Sequence, residues 1–562
     1  MSARITATAR VAAAYRAIET ADRPEIWIHL RPEADVMAEA ALVDASTADL
    51  PLRGVVLAVK DNVDVAGVPT TAGCPEFGYT PAVDAAAVAA LRAAGAVVLG
   101  KTNLDQFATG LVGTRSPHGA VRDSRRPEYI SGGSSSGSAV AVALGLVDIA
   151  IGTDTAGSGR VPAGLQGIVG VKPTVGVVST EGVVPACSSY DCVTIFAADL
   201  AGAESAMAVM ASGAPDRQWP SDVRLAAPPR PRVAVPALLP GLDEQWAAAF
   251  GAAVERLRSA GAEVVEIDLT LFLDAAKLLY DGALVAERYA AVGEFVDDHP
   301  DAVDPTVRSI VAPAGAIPAH RLLADRELLA QLRNRAMTEL DGCDALMVPT
   351  APEHPTIAEV AADPIGVNSR MGTYTNFCNL FDLSAIAVPA GTAGDAQFGV
   401  TVLARAFEDG VAADIAAMVT GDEATGWTSE PADTVELSVF GAHLRGQPLE
   451  HQLTGLGARW LGPVVTAPRY RLSALDTTPP KPGLVRVADG GVAIVGERWQ
   501  LTPAALGTFL AALPTPMMLG SVEFDDGSWG TGFGCDQEAA STGKDISEYG
   551  GWKAALDAGA VG

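Results

Sequence analysis

Cysteine is scarce and unclustered. Six residues (Cys74, Cys187, Cys192, Cys343, Cys378 and Cys535) are spread over 562 positions without a CxxC pair. That spacing fits reduced thiols in a cytoplasmic protein better than a disulfide framework or a zinc site. Positive charge is also short: 39 Lys+Arg against 67 Asp+Glu leave a formal net charge of -28. Phosphate-rich partners, nucleic acid and anionic membranes alike, would be repelled. No long hydrophobic run is present, since the longest, Ala139 to Gly152, is interrupted by Asp148 and too short to cross a bilayer. The alanine-rich start, Met1 to Glu19, has arginines where a signal core would be continuous. No metal cluster or organic-cofactor motif is found, so neither is expected. What remains is apolar: 49% apolar against 19% charged residues is ample material for a large core and unlike a disordered chain. The length calls for two domains.

The coarse pattern is α/β. Val11, Tyr15 and Ile18 recur at helical spacing. Leu52 to Val59 is a β-type run that delivers Lys60 at its end. Ala85 to Ala94 reads as a helix closed by Gly95, and Ala96 to Leu99 as the strand after it. Ala139 to Leu146 reads as a helix and Ile149 to Ile151 as a short strand. Alternation of this kind implies a layered α/β core. Further on, Leu242 to Ala260 and Asp274 to Val296 carry long helical patterns, and Asp344 to Pro349 and Ala385 to Pro389 read as buried strands. Thr420 to Thr434, with Gly421, Gly426 and Pro431, reads as a linker. A first domain over 1–430 and a smaller α+β domain over 435–562 follow, the latter from short β-type runs and glycine turns such as Gly483 to Val487.

Three segments carry chemistry: Val59-Lys60-Asp61-Asn62, Gly132-Gly133-Ser134-Ser135-Ser136-Gly137 and Gly152-Thr153-Asp154-Thr155-Ala156-Gly157-Ser158-Gly159-Arg160. A serine hydroxyl needs a base to become a nucleophile, and the titratable base in these segments is a lysine, not a histidine. Glycine turns around each serine let backbone amides approach a reacting carbonyl. A flexible linker or an anion-binding loop before a helix would look similar in either loop alone, although the Gly-Lys-Ser/Thr ending of a nucleotide loop is missing.

In combination the segments resemble the amidase signature family. Pro51-Leu52-Arg53-Gly54 through Lys60-Asp61-Asn62, the two serine loops, and Asn379-Leu380 with Val388-Pro389-Ala390-Gly391 match its blocks across residues 20 to 420. The resemblance implies an α/β/α sandwich with a mixed central sheet. It makes Ser158 the nucleophile, Ser134 the bridging serine and Lys60 the base, with the amides of Thr155, Ala156, Gly157 and Ser158 as the oxyanion hole. Ala156 stands where glycine is frequent in the family. Gly159 replaces a bulkier residue and is expected to open space beside the nucleophile.

Thr155-Ala156-Gly157-Ser158-Gly159-Arg160-Val161-Pro162 and Asn103-Leu104-Asp105-Gln106-Phe107-Ala108-Thr109-Gly110 look like the allophanate hydrolase branch of that family. The implied substrate is a small urea-carboxylate, allophanate. By the same resemblance Tyr280 and Arg288 bind its carboxylate; Gly110 is a further candidate contact, and Arg160 is a further candidate cation beside Ser158 that could instead only brace the loop. Eight residues on one helix lie about 80° past two full turns, so Tyr280 and Arg288 could border one pocket. On helix pattern alone, Tyr280 packing in the core and Arg288 pairing with a surface acid such as Glu287 or Glu294 is the better reading. Asp154 and Gln166 could orient the site or serve only the fold. Another small-amide amidase, the amidase subunit of an amidotransferase, and an inactive scaffold stand as alternatives.

Phe440-Gly441-Ala442-His443, Gly496-Glu497-Arg498-Trp499 and Asp545-Ile546-Ser547-Glu548-Tyr549-Gly550-Gly551-Trp552 resemble the carboxy-terminal domain of allophanate hydrolases, whose fold is similar to that of gamma-glutamyl cyclotransferases. The resemblance implies help with decarboxylation, with His443, or less suitably His451, as proton donor, against a purely structural histidine or an assembly module. A homodimer is implied in the same way.

Overall fold

The computed structural model describes residues 5–213, 215–429 and 432–561. The chain folds as two compact units: Met1–Gln218 with Arg230–Trp427, and Trp219–Pro229 with Thr428–Gly562.

The first unit is an α/β/α assembly around one mixed sheet of 11 strands. In chain order these are β1 (Trp27–Leu30), β2 (Val56–Lys60), β3 (Val97–Thr102), β4 (Ile149–Asp154), β5 (Val169–Lys172), β6 (Cys192–Ala197), β7 (Arg232–Pro236), β8 (Glu263–Ile267), β9 (Ala345–Pro349), β10 (Ser384–Ala393) and β11 (Ala396–Ala404). Across the sheet they run β1-β3-β2-β4-β6-β5-β10-β11-β9-β7-β8. Every residue of β2, β3, β4 and β6 is buried, which is why these strands read as continuous apolar runs rather than alternating ones.

Strands β2 and β4 are parallel neighbours, with Val59 opposite Ile151. Lys60 and the Thr153-Asp154 pair therefore leave the sheet along the same edge. The first serine loop ends in the helix Ser136–Ala143, which begins inside the loop, three residues earlier than its apolar pattern indicates. Beyond β4 the chain turns tightly into the helix Val161–Gln166, whose Pro162 suits the first turn because its missing N–H would have no partner there.

The helix expected over Leu242 to Ala260 is present as Glu244–Ser259, capped by Asp243. The pattern over Asp274 to Val296 is not one helix. It is Thr270–Lys277, a short 3-10 turn at Ala283–Val285 and Ala286–Asp298. The break falls at Asp281-Gly282, where the Asp325 carboxylate accepts the Ala283 amide at 2.6 Å.

The second unit holds β12 (Val435–Val439), β13 (Arg459–Val465), β14 (Tyr470–Leu475), β15 (Lys481–Arg486), β16 (Val495–Leu501), β17 (Met517–Glu523), β18 (Trp529–Cys535) and β19 (Lys544–Asp545). They form a five-stranded sheet, β13-β16-β12-β18-β17, and a three-stranded one, β15-β14-β19. Short helices and a core containing Trp499, Phe440, Phe509 and Trp552 complete an α+β fold. Segment 219–229 belongs to this unit: the Leu225 amide donates to Gly457 O at 2.9 Å, and Arg459 Nη2 to Leu225 O at 2.7 Å. Among the described residues no helix is long and apolar enough to cross a membrane.

Candidate active site

Lys60 is wholly buried at the end of β2. Its Nζ donates to Ser134 Oγ at 2.8 Å and to Thr153 Oγ1 at 2.7 Å. Burial strips water from the ammonium and pulls its pKa down to about 7, with the Arg288 charge acting in the same direction. The carboxylates of Asp105, Asp154 and Asp191 oppose that fall without cancelling it. A lysine so placed is half neutral near pH 7, which a base requires. The Gly133–Ser134 peptide is cis, and Ser134 is itself fully buried.

Ser158 lies on the turn between β4 and the helix Val161–Gln166, a turn organised by Asp154. One carboxylate oxygen accepts the Gly157 amide at 3.0 Å, and the other accepts the Gly159 amide at 2.9 Å. Burial alone would raise the Asp154 pKa, but the Arg160 guanidinium, bonded to both oxygens at 2.9 Å, holds it below the usual carboxylate range. Arg160 is therefore not free to receive a substrate: buried completely, it spends its other bonds on Thr375 O and Asn379 Oδ1. Of the two readings open for Arg160, substrate contact or loop brace, its bonds match the brace of the nucleophile turn.

Gly159 also has a different reason from the one expected. A Cβ there would meet Thr194 of β6 at 2.7 to 2.9 Å, so the residue accommodates a close strand rather than opening space. Of the amides proposed for an oxyanion hole, that of Gly157 is bonded to Asp154. Thr155 is fixed through its hydroxyl, which donates in a short bond to Asp191 Oδ1, and Asp191 in turn accepts the Ala186 and Cys187 amides.

Tyr280 and Arg288 do come together, although not by sharing a helix. Tyr280 stands in the break and Arg288 on the helix Ala286–Asp298, with Nη2 donating to Tyr280 Oη at 3.0 Å. Arg288 Nη1 donates to Thr109 Oγ1 at 2.9 Å and Ala108 O at 3.4 Å. The surface-pair reading fails, because Glu287 is bonded to Arg326 and the Ser189 amide instead. Arg288 is only 2% exposed and forms no ion pair with a carboxylate among the described residues. Its position calls for an anion. Gly110 gives room to Asp105: a Cβ at Gly110 would lie 2.6 Å from that carboxylate, and one at Gly133 2.2 Å. Asp105 accepts the amides of Val112, Gly113 and Arg115, and its own amide donates to Ser134 O at 3.2 Å.

Gln166 is a structural clamp, its amide group bonded to Ser124, Asp123 and Ser131. Asp105, Thr153 and Asp191 lie at the site without having been singled out. Thr153 and Asp105 do sit inside the segments that carried the resemblance, and that membership was the available signal.

In the second unit His443 borders a cavity of about 430 Å³ with Gln452, Pro479, Lys481 and Phe509. Its Nε2 pairs with Gln452 Oε1 at 2.9 Å, and its ring stacks on Phe533. Burial lowers its pKa and Lys481 adds to the effect, while Gln452 opposes both. His451 is exposed and bonded to Pro448 O at 2.9 Å.

The chain matches the family model "Amidase" over residues 9–411 and the model "Allophanate hydrolase C-terminal domain" over 435–557. It is 42% identical to urea amidolyase of Lachancea kluyveri, an alignment covering 96% of this chain but 32% of that protein. It thus spans about a third of the length of the urea amidolyases it matches. It is 34% identical to 2-amino-5-chloromuconic acid deaminase of Comamonas testosteroni, over 65% of this chain and 80% of that one. Among solved structures, allophanate hydrolase of Kluyveromyces lactis superposes with a TM-score of 0.88 at 38% identity, covering 98% of this chain and 97% of that one.

Proposed function

The chain belongs to the amidase family, and on that premise we propose that it is an allophanate hydrolase working through Lys60, Ser134 and Ser158. The observation that carries the substrate is Arg288, a buried guanidinium beside Tyr280 without a carboxylate partner among the described residues. A planar, forked cation of this kind suits the substrate carboxylate and leaves the terminal amide to the nucleophile.

In the proposed cycle neutral Lys60 takes the Ser134 proton while its own N–H stays on Thr153. Ser134 takes the Ser158 proton, and Ser158 Oγ attacks the amide carbon. The amides of Thr155, Ala156 and Ser158 hold the resulting oxyanion, and the Gly157 amide fixes the turn. The C–N bond then breaks, and ammonia leaves with a proton returned through Ser134. Water hydrolyses the acyl-enzyme to N-carboxycarbamate.

The second unit is proposed to assist decarboxylation in its His443 cavity, where Lys481 offers a positive charge for a carboxylate. Six buried free thiols support a reducing, cytoplasmic setting, and a homodimer belongs to the same reading. Urea breakdown is the context that the relatives' names support. The test is ammonia release from allophanate, malonamate and glutamine by purified protein. Turnover of allophanate is expected to exceed the others. Turnover of malonamate or glutamine without allophanate would overturn the reading.

A further inference from the structure

Arg288 is not the only buried guanidinium at this end of the site. Arg115 is 3% exposed, and its Nε has no partner. Its Nη1 donates to Thr109 O at 2.8 Å and its Nη2 to Pro364 O at 2.6 Å. Arg288 reaches the same threonine through its hydroxyl. Two cations thus converge on Thr109, and neither forms an ion pair with a carboxylate among the described residues. Arg115 and Tyr280 line one cavity of about 390 Å³, together with Ser309, Ile365 and Asn368. Asp281 is the carboxylate on that wall, and it is solvent-exposed.

Two buried guanidinium groups held by the same residue repel each other, and an anion placed between them relieves that repulsion. We propose that Arg115 is a second specificity determinant of the substrate pocket, selecting amides that carry a carboxylate. The idea rests on the reading of the pocket given under Proposed function. Charge accounting explains why one cation would not suffice. Allophanate enters as a monoanion. Attack by Ser158 Oγ, with its proton passed to Ser134, adds an oxyanion, and the released N-carboxycarbamate bears two carboxylates. The second negative charge is made beside one the substrate already carries, so a second cation offsets a repulsion that a neutral amide never meets. Arg115 acts on the substrate's charge while its two main-chain bonds tie the 109–115 loop to the segment at Pro364.

The experiment uses the full chain and three probes: malonate, a dianion with the product's one-atom bridge; malonamate, a monoanionic amide; and malonamide, a neutral one. Arg115→Gln is expected to weaken inhibition by malonate about tenfold and lower kcat/KM for malonamate by a similar factor, with malonamide changed less than about threefold. Arg115→Lys should restore part of the preference, since it keeps the charge but not the fork. Equal losses on malonamate and malonamide, or no loss on either, would overturn the proposal. If the Gln variant does not fold, the Lys variant decides: a partial loss on malonate and malonamate with malonamide turnover unchanged supports the proposal, and equal losses on both amides, or none, overturn it. Arg288→Ala separates the two layers. If it abolishes malonate inhibition while Arg115→Gln leaves inhibition intact, only the role of Arg115 falls. If wild-type protein neither binds malonate nor turns over allophanate, the pocket reading itself fails.

Discussion

At the residue scale the decisive fact is that a lysine has been placed where it prefers to be neutral. Because burial disfavours the ammonium, the folded-state pKa of Lys60 lies near 7, below its ordinary 10.5. Activity should therefore fall about tenfold per pH unit below 7 and level off above it, as a pH profile of kcat/KM at low substrate would show. The sign for stability follows from the same shift. Between about 7 and 10.5 the unfolded chain binds a proton that the folded one does not, so the penalty is complete below 7 and eases as pH rises. Lys60→Met should abolish turnover while raising the thermal unfolding temperature, and a lowered one would show that the bonds to Ser134 and Thr153 outweigh the desolvation. Lys60 and Ser134 were legible from sequence because a lysine and two glycine-framed serines form an unusual set. Arg160 stayed between substrate contact and loop brace because a sequence shows a charge without showing its partner, and Asp154 lay six residues away in the same loop.

At the scale of elements, the strand ends were readable and the helix break was not. Apolar runs end visibly at Lys60 and Asp154, but only the parallel pairing of β2 with β4 makes those ends neighbours. Helical periodicity continued through Asp281-Gly282, and the turn signal of that dipeptide was outweighed. The cost of the close strand at Gly159 can be measured directly. Gly159→Ala should destabilise the protein by about 1–3 kcal/mol, because its Cβ would press on Thr194. Adding Thr194→Gly should recover much of that loss in urea unfolding. No recovery would mean that the turn, not the strand contact, requires glycine.

At the scale of the whole molecule, the boundary in the polar stretch near residue 427 was legible from composition. The membership of 219–229 in the second unit was not, because eleven residues carry no periodic pattern of their own. Val223 and Leu225 are buried there. A chain ending at Trp427 would expose them, and trypsin should then cut after Arg224 far faster than in the full protein, as timed digestion and mass analysis would report. Cleavage at an unchanged rate would show that the segment finds other cover. His443→Ala in the full chain should leave the first ammonia release intact and delay carbon dioxide, followed by a coupled assay of both gases. Equal slowing of both would assign His443 to folding instead.

The same interleaved segment has a consequence during synthesis. Residues 219–229 leave the ribosome roughly two hundred residues before the strands that cover them begin. At translation rates of about 5–20 residues per second, that is a wait of about 10–40 s with Val223 and Leu225 uncovered. The first unit itself is completed only at the end of that interval, since β7 to β11 are made within it, and this strip must stay unpaired and unaggregated until the second unit arrives. Chaperone dependence in the newborn chain should therefore be concentrated on the apolar side chains of this stretch that the finished protein buries, Val223, Leu225 and Ala226.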